Sequence, residues 1–326
     1  MNIGTIEAKP GEKAFGFFKT GETHGGFDVH IPLHIVRGAT DGPVLAVHSG
    51  LSGLEIEPAL SLPQIIQALD PAQMKGTLVL VPLMNTSGFE FTQVHTVWDD
   101  KNLNELGRGD ADGTISEQMI AQYYQKVIAA ADAVLEIHSG SQWSFHQYAG
   151  VYTSGKQTES RQMAAALGLP HVLIGQPADR SMACAAAEDG KTVVSAFIGG
   201  GPGLRDYRDD IAKLVNNAVF NGMRHLGMLE GSIESDFSQT AVIEAHTIFK
   251  PNTTRGFTFI DSSKRGQAVK AGEQIGIIRH PFTGETVEEI KATQDGIMLH
   301  TGASWPVVPE GEILAILGGL VEEIPI

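Results

Sequence analysis

The chain has 326 residues, a formal net charge of −15, 42% apolar residues and a single cysteine. This length allows one large α/β unit with a sizeable core plus a smaller unit. An acidic chain without a Lys/Arg block excludes a binder of nucleic-acid backbones. The lone Cys184 excludes an intrachain disulfide, and the absence of a signal-like start or an apolar run of ~18 residues points to a cytoplasmic protein that does not enter membranes.

Residues 1–40 alternate apolar and polar groups between glycine turns. Ala14-Phe-Gly-Phe-Phe and Phe27 to Val36 read as antiparallel strands. Val44-Leu-Ala-Val-His48 is a buried strand that runs into Gly50-Leu-Ser52-Gly53-Leu-Glu55-Ile-Glu57. The glycines allow a tight turn there. A helix over 59–69 and a short apolar strand from Gly76 to Pro82 follow. Residues 84–113 are rich in Asn, Asp and Gly with little periodicity, which marks a functional loop region.

Ser116 is the expected cap of a helix over 117–130. Ala133 to His138 is a strand entering a polar turn. Helices are expected over 158–167, 182–188 and 209–226, with strands at His171 to Gly175 and Lys191 to Ile198. This alternation predicts an α/β fold with a mostly parallel sheet covered on both faces. From 236 the pattern becomes short strands between Gly and Pro turns, so the expected division is an α/β domain over 1–235 and a small β-barrel-like domain over 236–326. Its edge strands offer a surface for self-association.

The turn at 50–57 resembles the zinc-site turn of the succinylglutamate desuccinylase/aspartoacylase family, deacylases related to zinc carboxypeptidases. Other segments match in order: Asn85-Thr-Ser-Gly88-Phe89-Glu90, Asp100-Lys-Asn-Leu-Asn104, Glu136-Ile-His138-Ser-Gly140 and Lys191 to Gly201. The resemblance implies a zinc-carboxypeptidase type fold and a zinc-dependent hydrolase cutting an amide or ester of a small molecule. It implies Glu55 and His138 as zinc ligands, with Glu136 orienting His138. Ser52 stands at the remaining ligand position, and Phe197 stands where the family has its general base. Asn104 falls at a substrate-binding position, but Glu105 follows it where the family has an arginine.

A hydroxyl is a poor zinc ligand, and a phenyl ring cannot move a proton. Three readings therefore remain open: a metal-dependent acyl hydrolase with a compensated site, an inactive relative that binds a small molecule or a protein, and an enzyme with metal-free or differently metallated chemistry in the same cleft. His48 is either a substitute ligand or a buried strand histidine bonded to a backbone carbonyl. His146 is expected to line the cleft. Glu57 is a weaker candidate base, and Arg108 and Arg205 are candidate replacement cations. The missing arginine favours a neutral or cationic substrate over a dicarboxylic one.

Overall fold

A computed structural model describes residues 1–141, 144–176, 179–200, 208–250, 252, 256–301 and 315–326; for 245, 246, 300 and 301 only the backbone is described. Gly201 and the candidate cation Arg205 lie outside the described residues.

Strands β1 (Asn2–Ile3) and β2 (Ile6–Glu7) form a small antiparallel pair. The long strands β3 (Glu12–Glu22) and β4 (Asp28–Arg37) make a hairpin. Then come β5 (Thr40–Ser49), α1 (Ile56–Ala68), β6 (Lys75–Val81), α2 (Thr86–Phe91), α3 (Ile115–Tyr123) and β7 (Ala133–His138). The chain continues through β8 (Phe145–Val151), α4 (Gln157–Ala166), β9 (His171–Ile174), α5 (Met182–Glu188), β10 (Thr192–Gly200) and α6 (Asp209–His225). Only strands and one short turn follow among the described residues: β11 (Gln239–Phe249), β12 (Phe257–Ile260), β13 (Ala268–Val269), β14 (Gln274–Arg279), β15 (Thr286–Lys291), β16 (Gly296–Thr301) and β17 (Ala315–Pro325).

Twelve strands join in one sheet, in the order β13-β16-β17-β11-β9-β8-β10-β7-β5-β6-β4-β3. The sheet is mixed rather than mostly parallel. Two parallel blocks, β10-β7-β5-β6 and β11-β9-β8, meet at the antiparallel β8/β10 pair. Both flanks are antiparallel. β8 is the strand that periodicity misses, and its insertion between β9 and β10 reverses the sheet direction.

The sheet also runs across residue 235. β11 pairs in parallel with β9 and antiparallel with β17, so the later strands extend the α/β sheet. Only β12, β14 and β15 form a separate three-stranded sheet. That part keeps a small core of its own, which includes Phe249, Ile260, Ile275, Ile278, Ile290 and Met298.

Period-two alternation assigns the two faces of the main sheet. Leu45, Val47, Leu135, Ile137, Val194 and Ala196 pack under α1, α4 and α6. Ala46, Val134 and Val193 face the other way, toward α3 and α5. Each fully buried Leu or Ile contributes about 1.5–3 kcal/mol relative to exposure. On the α3 side, the next residues along β5, β7 and β10 are His48, Glu136 and Ser195. Polar chemistry thus continues an apolar face.

α3 begins two residues earlier than expected. Thr114, not Ser116, flanks its start, and the Thr114 N–H donates to the Glu117 carboxylate at 2.7 Å. Ser116 instead donates to Asp99 from both its backbone N–H (2.9 Å) and its hydroxyl (2.5 Å). Thr96 also donates to Asp99, at 2.7 Å. A wider π-helical turn over Tyr124–Ile128 prolongs the helix. The region over 84–113 contains α2 and a short turn at Leu103–Glu105. Among the described residues no helix is long and apolar enough to cross a membrane.

Candidate functional site

The turn between β5 and α1 is held by backbone bonds to the segment after β6. Met84 N–H donates to the Ser49 carbonyl at 3.0 Å, and Asn85 N–H to the Gly50 carbonyl at 2.7 Å. Gly50 has a φ of +66°, which favours glycine. Asn85 accepts from Gly88 N–H at 2.8 Å and so starts α2, while its amide donates to the Leu51 and Val94 carbonyls. Gly53 lies against Gly88, and a Cβ there would overlap the Gly88 backbone. Gly53→Ala is therefore expected to destabilise the protein by about 1–3 kcal/mol. Denaturant unfolding should show a lower midpoint with an unchanged slope.

Glu55 precedes the first residue of α1 and is buried. Its Oε2 accepts from the Ser52 N–H at 3.3 Å, and its Oε1 lies 2.9 Å from His138 Nδ1. His138 ends β7 and is 3% exposed. Its Nε2 lies 2.9 Å from Glu136 Oε1, and the other Glu136 oxygen lies 2.9 Å from His48 Nε2. Glu136 also accepts from the Ser195 hydroxyl at 3.2 Å, and Ser195 contacts Tyr152 at 3.1 Å. His48 sits opposite Glu136 in the parallel β5/β7 register, and Ser195 sits opposite it in the β7/β10 register.

Carboxylate oxygens stand 2.9 Å from both ring nitrogens of His138, an arrangement that favours the doubly protonated ring. Burial disfavours its charge, but Glu55 and Glu136 outweigh burial and raise its pKa to about 10. Burial likewise acts to raise the Glu136 carboxyl, but His138 and His48 overrule it and hold it far below the usual range. Burial pushes the Tyr123 phenol strongly upward, and its hydroxyl has no partner among the described residues. Tyr123 meets His48 edge-on with ring centroids 5.5 Å apart.

Phe197 lies flat on His138 at 4.8 Å between centroids and on Tyr148 at 4.7 Å. It is half-buried in the line of side chains that crosses β7, β10 and β8. His146 meets both Phe197 and Tyr148 edge-on, and its Nε2 lies 2.7 Å from the Ser144 hydroxyl.

The structure thus brings together Glu55, His138, Ser52, His48, Phe197 and His146. His48 is indeed a buried strand histidine, but its partner is the Glu136 carboxylate rather than a backbone carbonyl. Glu57 points to the end of β10, where it accepts from Gly200 N–H at 2.5 Å. Burial raises its pKa despite that bond. Arg108 is not a free cation. Its guanidinium donates to Asp189 (2.8 Å), Glu188 (3.1 Å) and the Ala185 carbonyl (3.2 Å) at the end of α5. Cys184 packs half-buried beside the α3-side core.

Glu105 lines a cavity of about 440 Å³ with His95, Asp100, Lys101, Asp110, Glu117 and Arg180. It pairs with Arg180 at 3.5 Å and accepts from Asn102 at 2.9 Å. Asn104 lies on the same loop, and its Oδ1 has no partner among the described residues. Sequence reasoning missed Arg180 because it stands far from the 100–110 loop and only the fold brings it there.

Zinc of the family type needs three good protein donors and an open position. Ser52 is the weak member, because its hydroxyl accepts from Leu54 N–H at 3.2 Å and offers no charge. Among the described residues no three His, Cys, Asp or Glu side chains are placed to share one ion. Glu55 and His138 alone fall one donor short, so the donor set does not fit the family's zinc.

A sequence model of the succinylglutamate desuccinylase/aspartoacylase catalytic domain matches residues 41–226. An N-alpha-acetyl-L-2,4-diaminobutyric acid deacetylase of Halomonas elongata is 26% identical over 213 residues, which is 63% of this chain and 61% of that relative. Among solved structures, a succinylglutamate desuccinylase/aspartoacylase from Rhodobacter sphaeroides superposes with a TM-score of 0.83 at 18% identity, covering 97% of this chain and 99% of the other. The product-bound ectoine utilization protein EutE (DoeB) of Ruegeria pomeroyi gives 0.82 at 21% identity, covering 96% and 98%. At these identities the two structures speak for the fold alone.

Proposed function

Because the chain belongs to the succinylglutamate desuccinylase/aspartoacylase family, we propose that it is an acyl hydrolase that cuts an amide or ester bond of a small molecule. The observation that carries this reading is the 2.9 Å contact between Glu55 and His138 at the ends of the central strands. These two residues match the family's site, and they lie at the carboxyl ends of parallel strands, where α/β folds bind ligands.

When bound, zinc would polarise the substrate carbonyl and ionise a water. Glu55 and His138 alone are too few donors to hold it here. The residues supply a rigid, dry wall instead. Glu136 and Glu55 orient His138, Phe197 covers its ring, and the buried chain through His48 and Ser195 excludes water.

The cavity beside the 100–110 loop supports a substrate class. Four carboxylates, Asp100, Glu105, Asp110 and Glu117, line it against two permanent cations, Lys101 and Arg180. That balance suits a neutral or ammonium-bearing acyl compound and repels a dicarboxylate. The deacetylase relative is named for an acetylated diamino acid, in keeping with this class.

A second reading is a cleft that binds such a compound without hydrolysing it. Phe197 at the base position and Ser52 at the ligand position favour it. The test is an assay of the purified chain on N-acyl amines and acyl esters of differing charge, with chelator or with added zinc. The expected result is turnover that chelator does not abolish, faster for ammonium-bearing than for dicarboxylic substrates. No turnover under either condition, with saturable binding seen by ligand-observed NMR, would overturn the hydrolase reading in favour of the second.

A further inference from the structure

We propose that Ser144 and His146 form a nucleophile–base pair that carries acyl transfer in this cleft; this rests on the acyl-hydrolase reading above. Their contact is a serine–imidazole hydrogen bond, 2.7 Å from Ser144 Oγ to His146 Nε2. Both side chains are nearly dry, at 7% and 6% exposure, yet neither is sealed off. Low polarity around such a pair strengthens its hydrogen bond.

The position is defined on several sides. Ser144 N–H donates to the Gly140 carbonyl at 3.0 Å, and Gly140 N–H donates to the Gly199 carbonyl at 3.3 Å. The turn carrying Ser144 is therefore tied to the end of β10. His146 is fixed edge-on between Phe197 and Tyr148, with centroids 5.8 and 5.7 Å away. The same Phe197 lies flat on His138. Ring contacts through Phe197 thus join the pair to the cluster that holds Glu55 and His138. A nucleophile and its base held within hydrogen-bond reach and braced by packing are the parts that covalent acyl transfer requires.

The chemistry balances with water as the only co-reactant. Ser144 Oγ attacks the substrate carbonyl carbon while His146 Nε2 takes the hydroxyl proton. The bond to the leaving nitrogen or oxygen breaks, and His146 returns the proton to that atom. The acyl group is then an ester of Ser144. His146 removes a proton from a water that attacks this ester, and the proton returns to Ser144 Oγ as the free acid leaves.

The experiment treats the full chain with a fluorophosphonate probe, maps the adduct by mass spectrometry and measures hydrolysis of the acyl panel in parallel. The expected adduct is on Ser144. Ser144→Ala should lose both label and turnover, and His146→Ala should slow both by roughly 10²–10⁴-fold. Ser139→Ala, on the same turn, should keep the label and so controls for folding. Turnover that persists in Ser144→Ala, or no adduct on Ser144 in the intact chain, overturns the pair while leaving the hydrolase reading standing. An adduct on Ser144 without turnover of any panel member supports the nucleophile and removes the hydrolase reading instead.

Discussion

His138→Ala is expected to lower stability by about 3–5 kcal/mol, because it leaves two buried carboxylates without their shared cation. Glu136 is fully buried and Glu55 nearly so, and each has a 2.9 Å bond to this ring. Denaturant unfolding would show the loss directly. The pH dependence gives a second signature. The folded-state pKa of His138 is raised to about 10, from an ordinary value of 6.5. A raised pKa means the folded state binds the proton more tightly than the unfolded state does. The stabilisation is complete below the unfolded value and is lost as pH rises toward the folded value. Between pH ~7.5 and ~9.5 the intact protein should lose up to about 1.4 kcal/mol per pH unit from this group. His138→Ala should lack that component. Equal slopes for the two proteins in this window would mean that the ring is not held protonated.

The second large effect is a gain. Ser52→His together with Phe197→Glu is expected to create a zinc site where the present donors fall short. The histidine supplies the missing ligand beside Glu55 and His138. The glutamate removes the ring stacked on His138 and adds a group able to move protons, worth roughly 10²–10⁴ in rate. A ligand that binds only the folded state stabilises it, by about 2.7 kcal/mol at a hundredfold excess over its dissociation constant. Added zinc should therefore raise the melting temperature of the double variant and leave that of the parent unchanged. A parent that purifies with stoichiometric zinc would sink this account, as would a double variant that zinc does not stabilise.

Much of the architecture was legible because it rests on local periodicity. The continuous apolar runs of β5, β6, β7 and β10 and the amphipathic pattern of α6 sit where the sequence puts them. β8 was not legible. Its seven residues include Gly150, and polar His146 and Gln147 interrupt the apolar run. Only pairing to β10 on one side and β9 on the other makes it a strand. The mixed direction of the sheet was hidden with it.

The site divides in the same way. Glu55 and His138 were readable from their flanking glycine turns and from the family resemblance. The His48–Glu136 bond was not, since it joins residues 88 apart and depends on the β5/β7 register. Arg108 looked like a free cation because nothing in its neighbourhood reveals Asp189, 81 residues away. Ser144 left no mark at all, as its meaning lies in the direction of one imidazole.

The pairing of β11 between β9 and β17 also sets the order in which the protein can finish folding. During synthesis, β9 emerges long before its neighbour, and β11 in turn waits for the strand at 315–325. Until then an open row of backbone donors and acceptors lies bare on a nascent chain, a template for other chains to add to. Ending translation near residue 235 would make that exposure permanent, so such a fragment should collect in aggregates rather than accumulate as a smaller working unit.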